Sequence, residues 1–89
     1  MFINKSADGR NNICGEQIAA LRNNLHWSQR ELADALQLEG LDVDKNAIQR
    51  IEAGKRFVTD IELVFFAKVF HVDVNTLLVS QQNPNALQV

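Results

Sequence analysis

Two four-residue signatures constrain this chain more than anything else in it: Ser28-Gln29-Arg30-Glu31 and Thr59-Asp60-Ile61-Glu62. Each is a capping box, in which a hydroxyl and a carboxylate three residues apart satisfy amide donors left orphaned at a helix start. Helices therefore begin at Gln29 and at Asp60. The first of them stops by Gly40, and Gly54 stops a further helix between the two boxes, because glycine adopts the left-handed conformation that closes a helix. No stretch alternates apolar and polar residues long enough to propose a sheet. The fold class is all-α.

Periodicity fills in the rest. Ile18, Leu21, Arg22 and Leu25 recur at three- and four-residue spacing and mark a first helix from about Ile13 to Asn24. Leu32, Ala33 and Leu36 line the inner face of the second, which runs to about Leu38. Asp44 caps a third helix whose seam is Ile48 and Ile51 and which ends near Glu52. Leu63, Phe66, Ala67 and Phe70 give the fourth helix, Asp60 to about Phe70, its core stripe. Asp73 caps a short fifth helix carrying Leu77 and Leu78. The expected organisation is a flexible polar arm over residues 1–12, one domain over 13–80 and a polar tail over 81–89 around Pro84.

Eighty-nine residues suffice for one small domain and not for two, since a core near this size buries only about 60% of the unfolded surface. Five Phe and one Trp in a chain that is 46% apolar supply the bulk that such a core needs. The lone Cys14 can form no internal disulfide and has no second Cys to share a metal, which favours a reducing, cytoplasmic setting. No apolar run suits a signal peptide or a membrane span. The net charge of −2 speaks against a general polyanion binder, but it averages over faces of opposite sign. Between Lys45 and Arg56 stand Lys45, Arg50, Lys55 and Arg56 against Glu52 alone, a local balance of +3.

With Ile48 and Ile51 turned inward, the third helix presents Lys45, Asn46, Gln49 and Arg50. Asn and Gln can pair bidentately with adenine, and Arg or Lys with guanine, so this face suits duplex DNA. The order of motifs then resembles a known family. Ile18 to Arg22, Ser28-Gln29-Arg30-Glu31-Leu32-Ala33, Ile48-Gln49-Arg50-Ile51-Glu52-Ala53-Gly54-Lys55-Arg56 and Leu77-Leu78 are similar to the phage repressor and Cro class of helix-turn-helix domains, the XRE family. The resemblance covers about residues 13 to 79. It implies a compact five-helix bundle of the lambda-repressor type that regulates transcription, most simply as a repressor.

The same resemblance implies roles. Gln29 and Arg30, at the start of the second helix, match the edge laid on the DNA backbone, with Gln29 on a phosphate. Lys45, Asn46, Gln49 and Arg50 match base-facing positions of the recognition helix. Lys55 and Arg56 match a phosphate-contacting turn, and Glu52 matches an acid that pairs with an arginine of the first helix, here Arg22. The chain departs from the pattern between helices two and three, where Leu38 to Asp42 or its equivalent is an insertion of about five residues that could bring Glu39 and Asp42 toward DNA. Members with this longer turn carry an Arg-x-Val-x-Asp-x-Glu segment, matched by Arg56 to Glu62, which marks a subgroup.

Other readings stand beside these. The four polar residues of the third helix also fit a plain solvated face, and Lys55 and Arg56 also suit the negative end of a helix dipole. His26 and His71 fit helix ends rather than a metal or catalytic role, Cys14 fits a small packed residue, and Trp27 fits an apolar staple onto the second helix. Helix four is more apolar than one stripe requires, since Val64, Phe65 and Val69 lie off its core face. Either a partner or the arm residues Phe2 and Ile3 cover the excess. A partner would be a second copy, because specific binding usually takes two half-sites. The alternative function is a protein-interaction module, toxin- or polymerase-directed, that keeps the fold without reading DNA. No catalytic constellation, cofactor site, metal-ligand cluster or small-molecule cleft is visible, so an enzyme is not expected.

Overall fold

A computed structural model describes residues 9–78. Within them the chain forms five helices: α1 (Gly15–Asn24), α2 (Gln29–Glu39), α3 (Lys45–Glu52), α4 (Asp60–Phe70) and α5 (Val74–Leu77), and no strand. Both capping boxes are complete. Ser28 Oγ accepts from Glu31 N at 3.0 Å while Glu31 Oε1 accepts from Ser28 N at 2.8 Å, and Thr59 and Glu62 repeat the arrangement at 3.2 and 2.9 Å.

The first four helices stop in one way. His26, Gly40, Gly54 and His71 all have positive φ, and after each the chain makes the same two bonds back into the helix it leaves. For α2 these are Gly40 N to Gln37 O and Leu41 N to Leu36 O; for α4, His71 N to Lys68 O and Val72 N to Ala67 O. This is the Schellman arrangement, which satisfies carbonyls that have no partner further along the helix. Glycine at Gly54 takes φ +78 without strain, whereas the histidines hold φ 58 with a side chain in place.

The core is continuous. Ile18, Leu32, Leu36, Ile48, Ile51, Phe66 and Leu77 are fully buried, and Ala33, Ala67, Phe70, Val43 and Cys14 close around them. α2 packs on both α3 and α4, while α1 packs on α3 and α5. Trp27 lies over the core edge with its ring 6.4 Å from that of Phe70.

The turn between α2 and α3, Gly40 to Asp44, is anchored by its own side chains. Leu41 and Val43 pack on the core, and Gln37 Nε2 donates to the Val43 carbonyl at 2.7 Å. Glu39 turns onto α4, with Oε1 3.5 Å from Lys68 Nζ, so its charge is drawn away from α3; Asp42 is exposed.

Three expectations need correcting. α1 starts at Gly15 rather than Ile13, because Asn12 Oδ1 accepts from Gly15 N and ties the chain down just ahead of the helix. For the same reason the arm expected over residues 1–12 is not free at its end: Arg10, Asn11 and Asn12 are bonded into the fold. Asp73 precedes α5 but its side chain makes no capping bond, and the helix closes with backbone bonds alone. The arm's residues 1–8, with Phe2 and Ile3, and the tail at 81–89 lie outside the described residues.

Candidate nucleic-acid interface

α3 is short, and its burial pattern is one-sided. Asp44 Oδ1 accepts from Ala47 N at 2.8 Å and fixes where the helix begins. Ile48 and Ile51 are fully buried, whereas Lys45, Asn46, Gln49 and Arg50 are exposed. At about 100° per residue the four exposed side chains fan over roughly 140° of one face. Four polar side chains carrying amide and cationic donors thus leave a rigid element together.

Behind that face sits Glu52, the centre of a network joining three helices. Its Oε2 accepts from Arg22 Nε at 2.7 Å, and its Oε1 accepts from Arg22 Nη2 at 3.1 Å and from Gln29 Nε2 at 3.0 Å. The Arg22 and Glu52 side chains are only 14% and 9% exposed. Arg22 Nη1 also donates to the Trp27 carbonyl at 2.7 Å, so one guanidinium fixes the α1–α2 turn to α3. The hydrogen bonds it donates to Glu52 raise the Arg22 pKa above its ordinary value. Gln29 thus spends one amide donor inside the protein, keeping one N–H for a ligand.

Arg30 is exposed on α2 and, with Ala33, Asp34, Gln37, Asp44 and Lys45, lines an open groove of about 330 Å³ between α2 and the start of α3. Two cations and two carboxylates border it, so it has no single sign. Beyond α3, Lys55 is exposed and Arg56 is not free: its Nη2 and Nη1 meet Glu62 Oε2 and Oε1 at 2.9 and 3.1 Å. The pair raises the Arg56 pKa and lowers that of Glu62, in each case chiefly through their hydrogen bonds.

The expected residues therefore fall into two sets. Arg30, Lys45, Asn46, Gln49, Arg50 and Lys55 are exposed, while Gln29, Arg56, Arg22 and Glu52 are engaged internally. Sequence reasoning missed Arg10, Asn11 and Asn12. Arg10 Nη2 donates to the Glu52 carbonyl at 2.7 Å, Asn11 Nδ2 to that of Lys55 at 3.0 Å, and Asn12 Nδ2 to those of Ile51 and Arg56 at 3.0 and 2.8 Å. A cation followed by two amides is the right chemistry for the negative end of α3, but nothing in spacing relates residues some forty positions apart.

Cys14 is 2% exposed, and burial pushes its thiol up to about 11, which suits a packed residue. His26 and His71 sit at the left-handed positions after α1 and α4, and the described residues hold no group of three potential metal ligands. No described helix is long and apolar enough to cross a membrane.

Two helices joined by a turn, with the second exposing a polar, cationic face beside a basic turn, define a DNA-binding helix-turn-helix domain of the all-α, repressor-like class. The comparison with known families agrees: the family model described as helix-turn-helix matches residues 18–77, well over half of the chain, and the protein belongs to that family, the Cro and repressor type. It is a family of DNA-binding domains that serve transcription regulation, not of enzymes. No curated protein and no solved structure matches the chain.

Proposed function

We propose that this chain represses transcription by occupying a specific duplex site as a homodimer, in the cytoplasm. Lys45, Asn46, Gln49 and Arg50 read base edges in the major groove, and Gln29, Arg30 and the turn at Lys55-Arg56 lie along the phosphates. The observation that carries the reading is the two-sidedness of α3: Ile48 and Ile51 have no exposure, and the side chains opposite them are all donors or acceptors suited to bases. Two copies suit a small domain, since one alone covers little DNA and two half-sites about one helical turn apart multiply specificity.

Selection of bound duplexes from a random pool tests it. The expected product is a partly palindromic site whose affinity falls steeply with salt, because phosphate contacts release counterions. Affinity that is flat between low and moderate salt for every sequence would refute it.

One observation favours a protein contact as well. Ile61 and Val64 are 66% and 58% exposed, three residues apart on α4, where an unpartnered helix would carry polar residues. A second copy of the chain accounts for them within the same reading. If no duplex is selected, the alternative of a protein-interaction module on this fold takes its place.

A further inference from the structure

The turn leaving α3 is held from two sides, and this bears on which of its two cations touches DNA. On one side the segment before α1 gathers the carbonyls at the end of α3: Arg10 takes Glu52 O, Asn11 takes Gly54 O through its backbone and Lys55 O through its side chain, and Asn12 takes Ile51 O and Arg56 O. Asn12 is 9% exposed, and its Oδ1 accepts from Gly15 N, so its amide spends both ends inside the protein. The backbone of Lys55 is fixed at both ends, its N–H on Arg50 O at 2.9 Å and its C=O on Asn11.

On the other side is Arg56. Its fork closes on Glu62 with both carboxylate oxygens, and Nη1 also donates to the Phe57 carbonyl at 3.1 Å. Glu62 is 12% exposed on its side chain and simultaneously accepts from Thr59 N, so it closes the α4 capping box with the same oxygen. The pair takes both Nη groups of Arg56, and a phosphate that drew the fork off Glu62 would strip a largely buried carboxylate of its cation and leave that negative charge close to the DNA backbone. While the pair stands, its charge is already neutralised and contributes no counterion release. Lys55 is the exposed cation of the turn.

We propose that Arg56 is a positioning residue, not a phosphate ligand: paired with Glu62 and opposed by Asn12, it holds the turn 53–57 so that Lys55 and α3 are presented together. The inference rests on the DNA-binding reading above. It gives Glu62 an unusual sign. An acid beside a phosphate ligand lowers DNA affinity, and its removal raises affinity; an acid that positions the turn does the reverse.

The experiment measures affinity of the full chain for its selected duplex as a function of salt, alongside amide exchange of Gly54 and Lys55 in the free protein. Glu62→Gln and Arg56→Met are each expected to weaken binding by about fivefold or more, with the double variant no weaker than the worse single. Both are expected to speed exchange at Gly54 and Lys55. Lys55→Met lowers the salt slope by about 0.9, the value for one lost phosphate. A Glu62→Gln protein that binds as tightly as the parent, or more tightly, overturns the proposal, because Arg56 is then a ligand that Glu62 restrains. If the parent shows no salt-dependent DNA binding, the functional reading fails, and exchange alone decides the positioning role: unchanged rates at Gly54 and Lys55 in both variants overturn it.

Discussion

Glu52→Gln removes one charge and almost no volume, and its cost can be worked out from three bonds. A glutamine has one carbonyl oxygen where Glu52 has two accepting oxygens. If its nitrogen replaces Oε2, the 2.7 Å bond from Arg22 Nε is lost and two donors face each other; if it replaces Oε1, the bonds from Arg22 Nη2 and Gln29 are both lost. Either way a guanidinium whose side chain is 14% exposed keeps its charge and loses its counter-ion. A hydrogen bond to a charged group contributes about 1.5–3 kcal/mol. Removing one partner of a fully buried pair costs about 3–5 kcal/mol, and an exposed pair contributes about 0–1 kcal/mol. This pair lies between those limits, nearer the buried one, so the expected loss is about 2–3 kcal/mol.

For a domain of this size that corresponds to a fall in Tm of roughly 10–20 °C. Urea and thermal unfolding followed by far-UV circular dichroism read it directly. The double variant Arg22→Met/Glu52→Leu is expected to be less destabilised than the sum of its singles by about 1 kcal/mol or more, because it leaves no orphaned charge. A change below about 0.5 kcal/mol in Glu52→Gln would place the pair with ordinary surface charges and refute the reasoning.

Gly15→Ala should be destabilising by about 2 kcal/mol or more in the same melts, because a Cβ there would overlap the Ile51 carbonyl and press on Arg10 and Asn12; a neutral result would mean that α1 and α3 are not so closely apposed. His71→Gly should raise stability by about 0.5–1 kcal/mol, since φ is 58 at that position and glycine relieves the left-handed strain at some entropic cost. Glu62 has its pKa lowered by Arg56, so the stabilisation it supplies is present above the ordinary glutamate value of 4.5 and is lost as pH falls through the folded value. Stability measured across that window should fall more steeply in the parent than in Glu62→Gln, and parallel curves would argue against the pairing.

The sequence was most legible where structure is local. The capping boxes place the starts of α2 and α4 to the residue, and Gly40 and Gly54 terminate their helices, because each signal acts within a few positions. The exposed face of α3 was equally readable, since Ile48 and Ile51 are three apart and fix what points the other way. What escaped depends on distance. Arg10, Asn11 and Asn12 read as a polar arm, and only folding brings them against carbonyls at the end of α3. The pairing of Arg56 with Glu62 escaped for a related reason: the two are six residues apart across a turn, and an Arg-to-Glu spacing carries no geometry until the turn is closed. The direction of Glu39 likewise follows from Lys68 on α4, not from its own helix.

The central claim, that α3 reads base edges, is tested most directly by repeating the selection of bound duplexes with Arg50→Ala beside the parent. The account predicts that the variant still enriches a site of the same spacing and symmetry but loses base preference at one position in each half-site, with affinity for the parent site falling by about 1–3 kcal/mol. An identical consensus bound with identical affinity would contradict it, because an exposed cation on a base-reading face cannot be silent.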